Sequence, residues 1–166
     1  MSTTDQILDR VQREVEYDGT SHAECVFLND LTLNIPRATY EVPHLSSTSE
    51  ELFDADFSGV LEALNFPDRW MDLVVQNSVD LQTPPRVTSL QFIEKDHRVV
   101  DMTVTMTRCD MYGELPDDVV SANLSLFRFC DESGFTPGDV NFRIGIAYTL
   151  YSDMEYVEEG IIDWGD

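Results

Sequence analysis

Lysine occurs once in this chain, at Lys95, and the other nine basic residues are arginines. Against ten cations stand 32 aspartates and glutamates, for a net charge of −22. Such a field repels polyanions, which argues against nucleic acid and anionic membrane surfaces as general partners. Cysteine is scarce too. Cys25, Cys109 and Cys130 are odd in number and form no CxxC pair. That argues against a disulfide scaffold and for a reducing compartment. His22, His44 and His97 are scattered, so no zinc-type ligand spacing occurs. No run of about 18 apolar residues is present, and no transmembrane helix is expected. The opening MSTTDQILDR has no basic stretch leading into an apolar core, so no secretory signal is expected there.

What is present suffices for a folded domain. Hydrophobic residues make up 42% of 166 positions, enough for one domain, spanning 1–166, with a real core. The acids are spread over the whole length. That distribution fits adaptation to a high-salt cytoplasm, where carboxylates keep the surface hydrated and salt screens their repulsion.

Periodicity predicts the elements. Ile7, Leu8, Val11 and Val15 share one face of a helix over residues 4–16. The stretch AECVFLNDLTLNIP predicts two short strands around a tight turn at Asn29-Asp30. A second helix is expected over SSTSEELFDADFSGVLEALN, with Thr48 and Glu51 as a capping box. Strands follow at 71–76 and 88–94. Residues 99–107 alternate, with Val100, Met102, Val104 and Met106 on one face. A helix from about Asp117 to Asp131 turns Val120, Leu124, Phe127 and Cys130 inward and stops at Gly134. GDVNFRIGIAYTLYSDM predicts a long last strand, and residues 156–166 an acidic tail. The order implies an α+β fold with a mixed or antiparallel sheet.

One set of motifs carries a resemblance. Pro84-Pro85-Arg86-Val87 is followed by four residues and Phe92. Further on the chain reads TRCDMYGELPDDVVSANLSLFRFCDESGFTPGDVNFRIGIAYTLYSDME. This order resembles the thymidylate synthase and deoxycytidylate hydroxymethylase family. Its members carry Pro-Pro-Cys-His with a later Phe, then Arg-Ser-x-Asp, Gly-x-Pro-x-Asn, a helix, Gly-Asp and a final strand. Upstream, Arg69, Trp70, Asn77, Asp80 and Leu81 also fall on family positions. The resemblance covers residues 68 to 155. It implies a thymidylate-synthase-like sheet with helices packed on one face, and a homodimer.

The resemblance also assigns a site, and the site is altered. Arg86 stands where the family has its nucleophilic cysteine, and no cysteine is beside it in the motif. A guanidinium stays protonated and cannot attack carbon. The family's His and Tyr on the last strand are here Tyr148 and Leu150, and the Gly of Gly-x-Pro is Glu114. By the same resemblance Arg69 reaches a phosphate across a dimer, and Arg108, after a one-residue shift, grips a phosphate. Asp110 holds the Asp of Arg-Ser-x-Asp. Asp118 takes the Asn position that reads the base, with the carboxylate that cytosine-using members carry. The family uses a methylene-tetrahydrofolate, whose binding segment is not evident here.

Plainer roles fit the same residues. Arg86 fits an ion pair in a chain with 32 acids. Asp118 fits the first turn of a helix, where a carboxylate is stabilising. Asp110 fits a brace for the turn before Gly113, Tyr148 fits packing, and Arg69 and Arg108 fit surface pairs. Three functions stay open: a pyrimidine nucleotide binder without transfer chemistry, a ligand-free interaction homodimer, and an active methyl- or hydroxymethyl-transferase with another nucleophile.

Overall fold

The computed structural model describes residues 3–37, 74–76, 86–96 and 98–154. The helix expected over SSTSEELFDADFSGVLEALN, Arg69, Trp70, the Pro84-Pro85 pair and the acidic tail lie outside these residues.

The chain begins with α1, Thr3–Asp18, then the short β1, Thr20–His22, and β2, Cys25–Ile35. After β3, Val74–Gln76, come β4, Val87–Asp96, and β5, Val99–Asp110. Helix α2, Leu115–Ser133, leads to β6, Thr136–Leu150, and a 3-10 turn over Tyr151–Asp153 ends the described chain. The strands form one sheet in the order β1-β2-β6-β5-β4-β3. All neighbours are antiparallel except β5 and β6. That parallel pair needs a crossover, and α2 supplies it. The fold is therefore α+β with a mixed sheet.

One buried cluster joins both helices to one sheet face. Val11 and Val15 of α1, with Ile7 and Leu8 packed at its margin, meet Leu31, Leu33 and Ile35 of β2. From α2 come Val119, Ala122, Leu126 and Phe129. Phe129 stacks on Phe92 of β4 with ring centroids 4.1 Å apart. The inward stripe of α2 is therefore rotated from the expected one. Val120, Leu124 and Phe127 are only half-buried, while their neighbours Val119 and Leu126 fill the core. The reason lies at the N-terminus, where Asp118 is drawn inward by a charge partner described below. Gly134 does end the helix, in the left-handed conformation at φ 80°, its N–H bonded to the Cys130 carbonyl at 2.8 Å.

The expected turn at Asn29-Asp30 is not a turn. Residues 25–35 form one strand, and its register against β6 is constant from Cys25↔Leu150 to Ile35↔Val140. Asp30 instead takes the left-handed region, φ 57°, which Asp tolerates better than most residues. The effect is to reverse which side chains face inward. Val26 is buried before this point, and Leu31, Leu33 and Ile35 after it. The same reversal occurs in the two next strands at the same level. On β6, Val140, Phe142 and Ile144 give way to Ala147 and Thr149. On β5, Val100, Met102, Val104 and Met106 give way to Cys109 and Met111. Asp30, Gly145 and Thr107 thus mark a kink that crosses three strands. Gly145 is needed there, because a Cβ would lie 2.9 Å from the Thr107 carbonyl oxygen. The last strand also ends earlier than expected, as Tyr151–Asp153 curl into the 3-10 turn.

Candidate functional site

Beyond the kink, β5 and β6 carry their side chains toward the N-terminus of α2. There Arg86, at the entry to β4, meets α2. Its Nη1 and Nη2 donate to Oδ2 and Oδ1 of Asp118 at 3.0 and 3.1 Å. Its Nε reaches Oε2 of Glu114 at 2.7 Å. The guanidinium thus spends its fork on one carboxylate and its remaining edge on a second, four residues earlier along the helix. The Arg86 side chain is 14% exposed and that of Asp118 1%, so the pair is largely dry. The Thr107 N–H donates to the Arg86 carbonyl at 2.8 Å, which ties this residue to the kink.

Three further groups close the network. The Cys109 thiol donates to Oδ2 of Asp118 at 3.2 Å. Oε1 of Glu114 accepts from the Asp110 N–H at 3.0 Å and from the Tyr148 hydroxyl at 3.4 Å. Oδ1 of Asp110 accepts from the N–H groups of Tyr112 and Gly113, each at 3.1 Å. Asp110 therefore braces the turn before Gly113, as one of its expected roles required.

The electrostatics fix the protonation states. Burial alone would lower Arg86, but the bond and charge of Asp118 and the charge of Glu114 raise it above its ordinary value, so it stays a cation. Burial lifts Asp118 above the usual carboxylate range, against the pull of Arg86 and the thiol bond. Burial also pushes the Cys109 thiol far up, and the neighbouring Asp118 charge adds to this. Cys109 is thus a protonated donor and holds no thiolate to attack or to bind a soft metal. Tyr148 is raised as well, by burial first and then by Glu114 and Asp110, with Arg108 opposing. Among the described residues no group of three or more His, Cys, Asp or Glu is arranged to hold a metal ion.

Four of the expected site residues, Arg86, Asp110, Asp118 and Tyr148, come together in this network. Arg108 lies at the same end but points outward. It is exposed, and its side chain makes no hydrogen bond or ion pair with another described residue. Arg69 lies outside them. Two members were missed. Glu114 had been noted only as a departure from a glycine. Cys109, expected to stand apart from Arg86, shares Asp118 with it. Continued past Thr107, the alternation of residues 99–107 would turn Cys109 outward, but the kink reverses it and Cys109 is buried. As a sequence signal there was only its spacing, nine residues before Asp118.

No protein-family model matches this chain, and no curated protein sequence matches it.

Proposed function

We propose that this chain is a catalytically silent protein of thymidylate-synthase-like architecture that binds a pyrimidine deoxynucleoside monophosphate without transferring a methyl or hydroxymethyl group. The observation that carries the silent half is the Arg86 network. The position that the resemblance gives to a nucleophile holds a guanidinium engaged by two carboxylates. The thiol nearest to it is a buried hydrogen-bond donor. Loss of a covalent nucleophile costs such chemistry orders of magnitude in rate. The binding half is supported by Arg108, an exposed guanidinium at the same end of the sheet as this network, suited to a phosphate.

Thermal stability in multimolar potassium chloride, with deoxyuridylate, deoxycytidylate and their nucleosides, tests this reading. Ligand that binds only the folded state raises the melting temperature. The expected result is a shift with a monophosphate, none with its nucleoside, and loss of the shift in Arg108→Ala. No shift with any of the four on folded protein overturns it. Exchange of the hydrogen on carbon 5 of either nucleotide would overturn the silent half.

A second reading, a ligand-free assembly of two copies, is favoured by Asp118. The carboxylate that the resemblance assigns to the base is 1% exposed and gives both oxygens to Arg86.

A further inference from the structure

The sheet has one face under the helices and an opposite face on which Thr32, Asn34, Ile93 and Arg143 are exposed. Level with the kink this outer face is hollowed. A depression of 240 Å³ is lined by Asp30 and Thr32 of β2, Thr105 of β5, and Arg143 and Gly145 of β6. A wider trough of 580 Å³ shares Thr32 and Arg143 with it and extends over Asn34, Ile93, Thr103 and Asn141. Arg143 is the cation common to both. Its register partners are Thr32 on β2 and Thr105 on β5. Neighbouring strands lie about 4.8 Å apart, so a hydroxyl stands on either side of the arginine. The side chains of Thr32, Thr105 and Arg143 make no hydrogen bond or ion pair with another described residue. Past Asn141 the face turns acidic, where the Asp139 N–H is bonded to Oδ1 of Asp101 at 2.8 Å.

We propose that this hollow binds a small sugar phosphate, with its single phosphate held by Arg143, Thr32 and Thr105 and its hydroxylated body lying along Asn34, Asn141 and Thr103. The site is separate from Arg108, which stands three residues further along β5 and does not line the hollow. A guanidinium fork gives two parallel N–H bonds to two phosphate oxygens. The two hydroxyls, each a donor free to rotate, serve the remaining oxygen and share the others. A carboxylate offers only two oxygens and would leave part of this donor set unused.

The trough decides what the phosphate carries. Its wall beyond Arg143 is made of two amides, a hydroxyl and the apolar Ile93. Amides and hydroxyls both donate and accept, as sugar hydroxyls require, and no aromatic ring lies on the outer face there to stack a base. The amides are already aligned, since Asn34 Nδ2 donates to Oδ1 of Asn141 at 2.8 Å. Charge limits the ligand to one phosphate. Asp139 and Asp101 close the far end and would repel a second one. Asp30 stands at the near end, two residues from Thr32, and weakens the hold on the first. Volumes of 240 and 580 Å³ suit a small metabolite.

Isothermal titration calorimetry with ribose 5-phosphate, inorganic phosphate and ribose tests the site, at the lowest potassium chloride concentration that keeps the chain folded. Ribose 5-phosphate is expected to bind more tightly than inorganic phosphate, and ribose not measurably. Arg143→Gln should weaken ribose 5-phosphate by about tenfold or more, the range for hydrogen bonds to a charged group. Asp30→Asn should tighten it by about twofold, the effect of one charge some 7 Å away in water. Asn also accepts the left-handed backbone of that position, so the fold is kept. Circular dichroism checks each variant. Absence of binding by the folded wild type overturns the proposal, as does an affinity indifferent to Arg143→Gln or lowered by Asp30→Asn. Inorganic phosphate binding as tightly as ribose 5-phosphate removes the sugar from it. Binding lost in Arg108→Ala but kept in Arg143→Gln overturns this site and leaves the deoxynucleotide reading standing. The reverse pattern, with no response to deoxyuridylate or deoxycytidylate, overturns that reading and keeps this site.

Discussion

Arg86 and Asp118, 32 residues apart in the chain, meet through two parallel hydrogen bonds of 3.0 and 3.1 Å. The pair closes the entry of β4 onto the first turn of α2. A neutral residue at position 86 would leave the nearly dry Asp118 carboxylate without a cation, and one at position 118 would leave Arg86 with Glu114 alone.

Arg86→Met is therefore expected to destabilise the fold by about 3–5 kcal/mol, the range for removing one member of a buried pair. The double variant Arg86→Met/Asp118→Leu is expected to recover most of that loss, since two well-packed apolar side chains often match a buried ion pair. Denaturant melts of the three proteins provide the comparison. If the double variant is no more stable than the single one, the pair is not the dominant interaction of Arg86.

Asp118→Asn should move base preference from cytosine towards uracil, provided that a nucleotide displaces Arg86 from this side chain. The check is the relative melting shift given by deoxycytidylate and deoxyuridylate. An unchanged preference ends a base-reading role for Asp118.

Stability should fall on the alkaline side. Cys109, Tyr112 and Tyr148 all have folded-state values raised by burial, and Cys130 is pushed up to about 11. The unfolded chain releases its thiol protons near pH 8.5 and its phenol protons near pH 10, while the native state holds on to them. The native state then binds more protons, so the free energy of unfolding declines as pH rises. The contribution is complete below about pH 8.5 and is lost above it. Cys109→Ser keeps a donor for Asp118 and removes one titrating group, so its stability should fall less steeply between pH 8.5 and 10. Melts across that window decide the matter.

Lowering salt should unfold the chain. The Debye length grows from about 3 Å at 1 M to about 30 Å at 0.01 M, and a net charge of −22 then repels itself across the whole molecule. Helical circular dichroism followed during dialysis from multimolar potassium chloride should show cooperative loss. A fold indifferent to salt would mean that the acids are already neutralised by local partners.

Gly145→Val should cost about 1–3 kcal/mol, the usual penalty for overpacking, because its Cβ would press on the Thr107 carbonyl oxygen. The same position on a flat strand would accept a β-branched residue readily. Chemical denaturation of the variant checks this.

Much of the fold was legible because periodicity reports burial. The alternation of Val100, Met102, Val104 and Met106 predicted their common inward face, and all four are buried. Gly134 read as a stop because only a residue without Cβ takes its φ at no steric cost. The turn at Asn29-Asp30 misled for a related reason. Asp favours left-handed backbone both in tight turns and in a strand that reverses its faces, and composition does not separate the two. The site was half legible. Arg86, Asp118, Asp110 and Tyr148 could be picked by motif position, and an ion pair for Arg86 followed from the abundance of acids. Glu114 and Cys109 could not, since their roles depend on the helix beginning at Leu115 and on the strand reversal at Thr107. Both are tertiary facts.

The kink at Asp30, Gly145 and Thr107 also binds the lengths of three strands to one another. Deleting a single residue from β5 ahead of Thr107 would turn Cys109 outward, move Thr107 into the buried place of Met106 and Asp110 into that of Cys109, and set a different carbonyl against Gly145. Repair would require matching deletions in β2 and β6 at the same time. Substitutions meet no such barrier. Over this part of the chain, divergence in evolution is therefore expected to proceed by exchanging side chains at fixed spacing, with insertions and deletions confined to the connections between strands.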